Sequence, residues 1–306
     1  MQENNERRNP FLLAPAVTLA VLVVFGVLSF IPFEKGLVAY IVGVGSALTV
    51  FGGLVFAAFR LRGRKWWDSC TQSHARGGWT ICLSAAGVMM VQSAMIRSFL
   101  IGDVYNYRTY SFYGISLDVH TDSFGLFVLI FVLLAVLPAI WEGILFRGFL
   151  MNEYRYGGVL VSALISSLLY AMTGISFSEF PIYFLNGVLL CAVVFLTGNV
   201  AFSILAHSLY GLFSLSFEKY FMFIAAETPS LSFLIMAAIG LFCVFCLCGS
   251  AEKILRARGE SEDRMPIRCK KGKLPIVLWD IFSAPVIWAD VCCFVLIGIL
   301  HIFLEV

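Results

Sequence analysis

Residues 124–150 read FGLFVLIFVLLAVLPAIWEGILFRGFL. From Phe124 to Trp141 the run holds no charge, and it then delivers Glu142 and Arg147. A stretch of that length and polarity crosses a bilayer as a helix. A carboxylate at the end of such a helix is costly in hydrocarbon, so it must be shielded, paired or used.

The surrounding sequence has the same character. Of the 306 residues 60% are hydrophobic, and the mean hydropathy is +0.91. A soluble domain could not hide that much apolar surface, so the fold class is all-α, a polytopic transmembrane helix bundle. Apolar stretches long enough to span lie near 11–31, 38–59, 79–101, 123–146, 158–176, 181–198, 200–217, 230–249 and 282–304. Because the last carries Asp290, the expected total is roughly eight to nine spans.

Charge placement tests this threading independently. With Arg7 and Arg8 inside, all but Lys35, Arg97, Arg108 and Lys219 of the 21 basic residues fall on the inner side. That asymmetry follows the positive-inside rule. The net charge of +2 therefore reports orientation and carries no nucleic-acid signal. The first apolar segment is longer than a signal-peptide core and lacks a small-x-small cleavage site, which favours an uncleaved signal anchor. The 9 cysteines lie mostly within spans, and Cys70 and Cys269 fall in inner loops. An odd count in such places argues against a disulfide framework. Cys243-x-x-Cys246-x-Cys248 reads as soft packing in an apolar helix.

The chain divides into an N-terminal membrane portion at 1–122, a core at 123–249, a basic inner loop at 250–277 and a last span at 278–306. Short connections within the core predict antiparallel neighbours. The aromatics of 102–122 suit an outer interface. For the basic loop, positive-inside bias is the favoured reading over a docking patch for anionic lipid.

Within the core, Pro138 removes a backbone donor and frees the carbonyl of Leu134, which predicts a kink in the fourth span. A kink beside a carboxylate can open a polar cavity. On a straight helix Glu142 and Arg147, five apart, do not share a face. The expected partners are then inner carbonyls or headgroups for Arg147 and the cavity for Glu142. His207 lies in the seventh span and gains interest only if another polar group converges on it, with Glu142 the obvious candidate. Arg97 is expected to snorkel outward, although a pair with Asp290 is conceivable. Asp290, with its short side chain, should face protein or water.

These residues resemble the CPBP family, the intramembrane proteases that include type II CAAX prenyl endopeptidases and Abi-type proteins. The family's first motif is E-E-x-x-x-R-G after a proline. Glu142-Gly143-Ile144-Leu145-Phe146-Arg147-Gly148 matches it except at the second glutamate. Its second motif is F-x-x-x-H, where this chain has Tyr170-Ala171-Met172-Thr173-Gly174. Its third, H-x-x-x-N after a Thr-Gly turn, meets Thr197-Gly198 and then His207-Ser208-Leu209-Tyr210-Gly211. The resemblance implies Glu142 as general base, His207 as oxyanion donor or ligand, and Arg147 and Pro138 as structural. It also implies a zinc ion, which needs at least three protein ligands, whereas Glu142 and His207 supply two.

The degenerate positions are thus Gly143, Gly174 and Gly211. Removing one catalytic group typically costs on the order of a hundredfold in rate, so three losses describe a dismantled site. Glycine at these positions either lets helices approach closely and seals the old cavity, or leaves a void that could bind. Three functions remain open at this stage: an inactive CPBP-type protein binding a membrane-protein or lipidated-peptide partner, a working intramembrane protease based on Glu142, and an unrelated transporter or channel. The expected location is integral to a bacterial cytoplasmic membrane, N-terminus inside, with the lipid bilayer as a partner.

Overall fold

The computed structural model describes residues 13–30, 37–62, 78–100, 109–112, 115–118, 124–218, 220, 228–258 and 274–304. Cys70, Cys269, Arg7, Arg8, Lys35, Arg108 and Lys219 lie outside the described residues. The chain is an all-α membrane bundle. Its helices are α1 (Leu13–Ser29), α2 (Leu37–Arg62), α3 (Gly78–Leu100), α4 (Phe124–Glu153), α5 (Gly158–Thr173), α6 (Phe180–Thr197), α7 (Val200–Ser216), α8 (Pro229–Arg258), α9 (Leu274–Phe282) and α10 (Pro285–Leu304). Five of them, α3, α4, α6, α8 and α10, are long and apolar enough to cross a membrane by length and composition. Shorter apolar helices within α1, α2, α5 and α7 fall on the other expected spans.

Two details depart from the expected layout. Part of the 102–122 segment forms an antiparallel hairpin, Thr109–Phe112 with Ile115–Asp118, in which Thr109 faces Asp118 and Phe112 faces Ile115. The expected loop at 250–277 is also shorter at both ends. Helix α8 continues to Arg258 and α9 begins at Leu274.

Helices α3, α6 and α7 pack together, with α5 against α6 and α8 against α3. The short connections make this possible. Gly198 adopts a left-handed φ of 69° to end α6. Asn199 then caps α7 by accepting the Ala201 N–H at 2.8 Å, and a side-chain acceptor at that position relieves an orphan helix donor.

Helix α10 runs parallel to α1. Gly26 packs on Ile297, and Ser29 Oγ lies 2.8 Å from His301 Nε2, an offset of 272 residues. Carried back along the pair, that offset sets Thr18 level with Asp290. Both are fully buried, and neither Asp290 oxygen has a hydrogen-bond partner among the described residues. Asp290 thus faces protein, as its short side chain requires.

Arg97 does not snorkel, and its partner is not Asp290. It is 9% exposed and sits between two buried carboxylates that sequence reasoning passed over. Its Nε donates to Glu179 Oε1 at 3.0 Å and a terminal nitrogen to Glu179 Oε2 at 2.7 Å. The other terminal nitrogen donates to Glu218, which also accepts from Ser214 Oγ. Outward escape loses because two fixed carboxylates at the starts and ends of α6 and α7 offer a planar guanidinium a bidentate seat. Removing one member of a buried ion cluster strands the rest, typically at about 3–5 kcal/mol. Arg97→Met should therefore lower stability by about that amount in detergent unfolding. Adding Glu179→Gln and Glu218→Gln to it should recover most of the loss.

Candidate functional site

The site is built around a change in helix winding. Residues Val132–Val136 and Gly143–Leu150 of α4 are π-helical, flanking the α-helical turn Leu137–Glu142 that contains Pro138. The first π segment ends directly before the proline, where the Leu137 N–H donates to the Val132 carbonyl in an i→i+5 bond. Pro138 itself has no N–H to give the Leu134 carbonyl. The second segment turns the side chain five positions beyond Glu142 nearer to the glutamate's own side, which a straight α-helix would not do.

Arg147 accordingly points into the protein and not to headgroups. It is 2% exposed, and no hydrogen-bond acceptor among the described residues reaches its guanidinium. The guanidinium lies 4.1 Å from the ring centre of Tyr170 and 5.8 Å from that of Phe146. Such a cation–π seat offsets part of the desolvation of a buried cation. Helix α5 is fastened to this segment by Ser166, whose Oγ donates to the Phe146 carbonyl at 2.5 Å.

Glu142 and His207 converge. Glu142 Oε2 on α4 is 3.4 Å from His207 Nδ1 on α7, close enough for a polar contact though not aligned as a hydrogen bond. His207 Nε2 is 3.5 Å from the Tyr170 hydroxyl. Tyr170 thus joins three groups, with its ring under Arg147, its hydroxyl at His207, and Phe146 and Tyr183 against its edges at 5.3 and 5.7 Å. It occupies the first position of the second motif, and its hydroxyl is what a phenylalanine there would lack. The constellation is a carboxylate, an imidazole, a phenol and a guanidinium, nearly dry and held by α4, α5 and α7.

The three glycines do not line a void. A Cβ on Gly143 would lie 2.5 Å from Ile204 Cγ1, and one on Gly174 would lie 2.8 Å from the Tyr183 ring. On Gly211 it would lie 2.5 Å from Ala135 Cβ and 3.2 Å from Ala135 Cα. Of the two readings of these positions, close helix approach is the one the structure adopts. Space that a second glutamate, a histidine and an asparagine would need is filled by Ile204, Tyr183 and the backbone of α4.

The donor set does not fit a zinc centre. Among the described residues no group of three or more His, Cys, Asp or Glu side chains is placed to hold a metal. Glu142 and His207 offer two donors where zinc takes three protein ligands.

Residues 124–213 match the family model of type II CAAX prenyl endopeptidase Rce1-like proteins, consistent with a CPBP-family intramembrane protease. The matched segment runs from the start of α4 into α7 and carries every residue of the constellation. The apolar helices make the chain an integral membrane protein, and its segment 124–213 is similar to CAAX proteases. Comparison with curated proteins and with solved structures finds no match.

Side chains at the glycine positions should cost stability in proportion to how stiff the obstacle is. Gly211→Asn, which meets the Ala135 backbone, should destabilise by about 1–3 kcal/mol or more. Gly143→Ala adds only a methyl and meets a side-chain atom, Ile204 Cγ1, so it should cost less. Thermal unfolding of the two variants in detergent gives the ranking, and equal effects would contradict it.

Proposed function

We propose that this chain is a catalytically impaired CPBP-type protein that binds a membrane-protein or lipidated-peptide partner without cleaving it. The observation that carries this reading is the filling of the three glycine sites. The second carboxylate, the second imidazole and the amide of the family's motifs are absent, and their space is occupied. Glu142 faces His207 and lacks the second carboxylate beside it, so an attacking water would meet one base and half of an oxyanion site. Each missing group typically costs on the order of a hundredfold or more in rate.

Glu142, Phe146 and Tyr170 are buried, so in this reading the site is a closed frame, held by Arg147 and Pro138, and the partner is bound elsewhere on the bundle. Glu142→Ala should then leave partner co-purification intact. The positive-inside pattern supports a cytoplasmic N-terminus, and the location in this reading is a bacterial cytoplasmic membrane.

A second reading is kept by one specific observation. Glu142 and His207 stand 3.4 Å apart, the pairing that a surviving base and oxyanion donor would show. An active protease would cleave a prenylated or apolar peptide, and Glu142→Ala would abolish turnover. The transporter reading loses ground, because the family match spans the same residues that converge.

The test is a purified full-length protein assayed against a panel of prenylated and membrane-anchored peptides, with and without added zinc. The expected result is no cleavage above a Glu142→Ala control, together with retention of a bound peptide or membrane protein on co-purification. Turnover that Glu142→Ala removes would establish the second reading instead.

A further inference from the structure

Asp290 has no part in the Glu142 site, yet it is 0% exposed and neither of its oxygens meets a hydrogen-bond donor among the described residues. Its setting is apolar. Ile287 and Phe294, one turn before and one turn after it on the same face of α10, are buried. They belong with Val17 and Val21 of α1 to one hydrophobic core. Thr18, flanked by those valines, stands level with Asp290 across the parallel pair, whose register is set by Ser29 and His301.

Helices α1, α5 and α9 pack against α10, and none of the three contains a lysine, arginine or histidine. Helix α1 has no titratable side chain at all. In α5 the titratable residue is Tyr170, already engaged with Arg147 and His207. In α9 it is Asp280, which is exposed. The corner between α5 and α6 also reaches α10, where Phe177 and Phe180 meet Phe294, and its Glu179 is bound to Arg97. On α10 itself Cys293 lies one turn on, and His301 is turned to Ser29 at the far end. No counter-charge therefore faces Asp290 from these elements. An ionised carboxylate so placed would be an uncompensated buried charge, which is strongly disfavoured. A hard metal cation would need several oxygen ligands, and among the described residues no cluster of acidic, histidine or cysteine side chains is placed to supply them. A proton removes the charge and needs no further space.

We infer that Asp290 is a proton-binding site and that its proton latches α10 onto α1. With the proton in place the two helices close over a neutral acid. Proton loss leaves a charge in their seam, and the seam must then part or admit water. The inference does not rest on the reading of the Glu142 site, which lies on other helices.

Infrared spectra of the full-length protein in lipid at neutral pH read the proton directly. Subtracting the spectrum of Asp290→Asn from that of the parent should leave a carboxylic-acid C=O stretch and no matching carboxylate band. Unfolding temperatures supply an independent readout. A carboxyl that the fold holds protonated and the unfolded chain releases makes the folded state less stable as pH rises. Between about pH 5 and about pH 9 the parent should therefore lose several degrees relative to Asp290→Asn, whose amide does not titrate. Asp290→Leu, also uncharged, should follow the same course as Asp290→Asn, so a folding defect peculiar to one replacement does not decide the outcome. Sodium chloride and choline chloride at equal concentration should give the parent the same unfolding temperature. A carboxylate band in place of the acid band, parallel pH courses for the parent and both variants, or a stabilisation by sodium that Asp290→Asn lacks would overturn the inference.

Discussion

The contact between α4 and α7 determines most of what this protein can do. Glycine faces the partner helix on both sides of it, Gly143 against Ile204 and Gly211 against Ala135. With no side chains between them the helices close up, and in hydrocarbon close van der Waals packing is a principal force available to hold spans together. That approach carries His207 to Glu142. It also consumes the volume in which a fuller set of catalytic groups would stand. The same glycines thus tighten the bundle.

Burial of charge follows one rule throughout. Each ionisable group deep in the bundle meets protein, and the type of partner depends on what the helices bring near. Arg97 finds two carboxylates and becomes a junction of three helices. Arg147 finds aromatic faces, because the π winding of α4 directs it away from the lipid boundary and toward Tyr170 and Phe146. Asp290 is fully buried on α10, level with Thr18 of α1. The charged groups placed for function and those placed for assembly are therefore not separable by charge alone, and position in the helix network distinguishes them.

The positions of the apolar helices were legible from composition and length, since hydrocarbon demands long uninterrupted runs with satisfied backbones. The resemblance to CPBP proteases was legible from Glu142, Arg147, Gly148, Thr197, Gly198 and His207, and the family match covers those residues. The Arg97 cluster was not legible. Glu179 and Glu218 each sit just beyond a span, where an acidic residue is unremarkable until the helix ends are seen together. The one available signal was that Arg97 needs a counter-charge if it does not escape outward, and that Glu179 and Glu218 lie at the same ends of adjoining spans.

What sequence by itself determined is the membrane class, the order of the apolar helices and the motif residues in the core. These are set by hydropathy and by residue type, both local properties. Tertiary structure alone decided that Glu142 and His207 meet, that Arg147 turns inward onto Tyr170, and that the glycines seal space instead of opening it. Those outcomes depend on the phase of each helix about its own axis. A few residues of π winding shift that phase by a large part of a turn, and no pattern along the chain announces the shift.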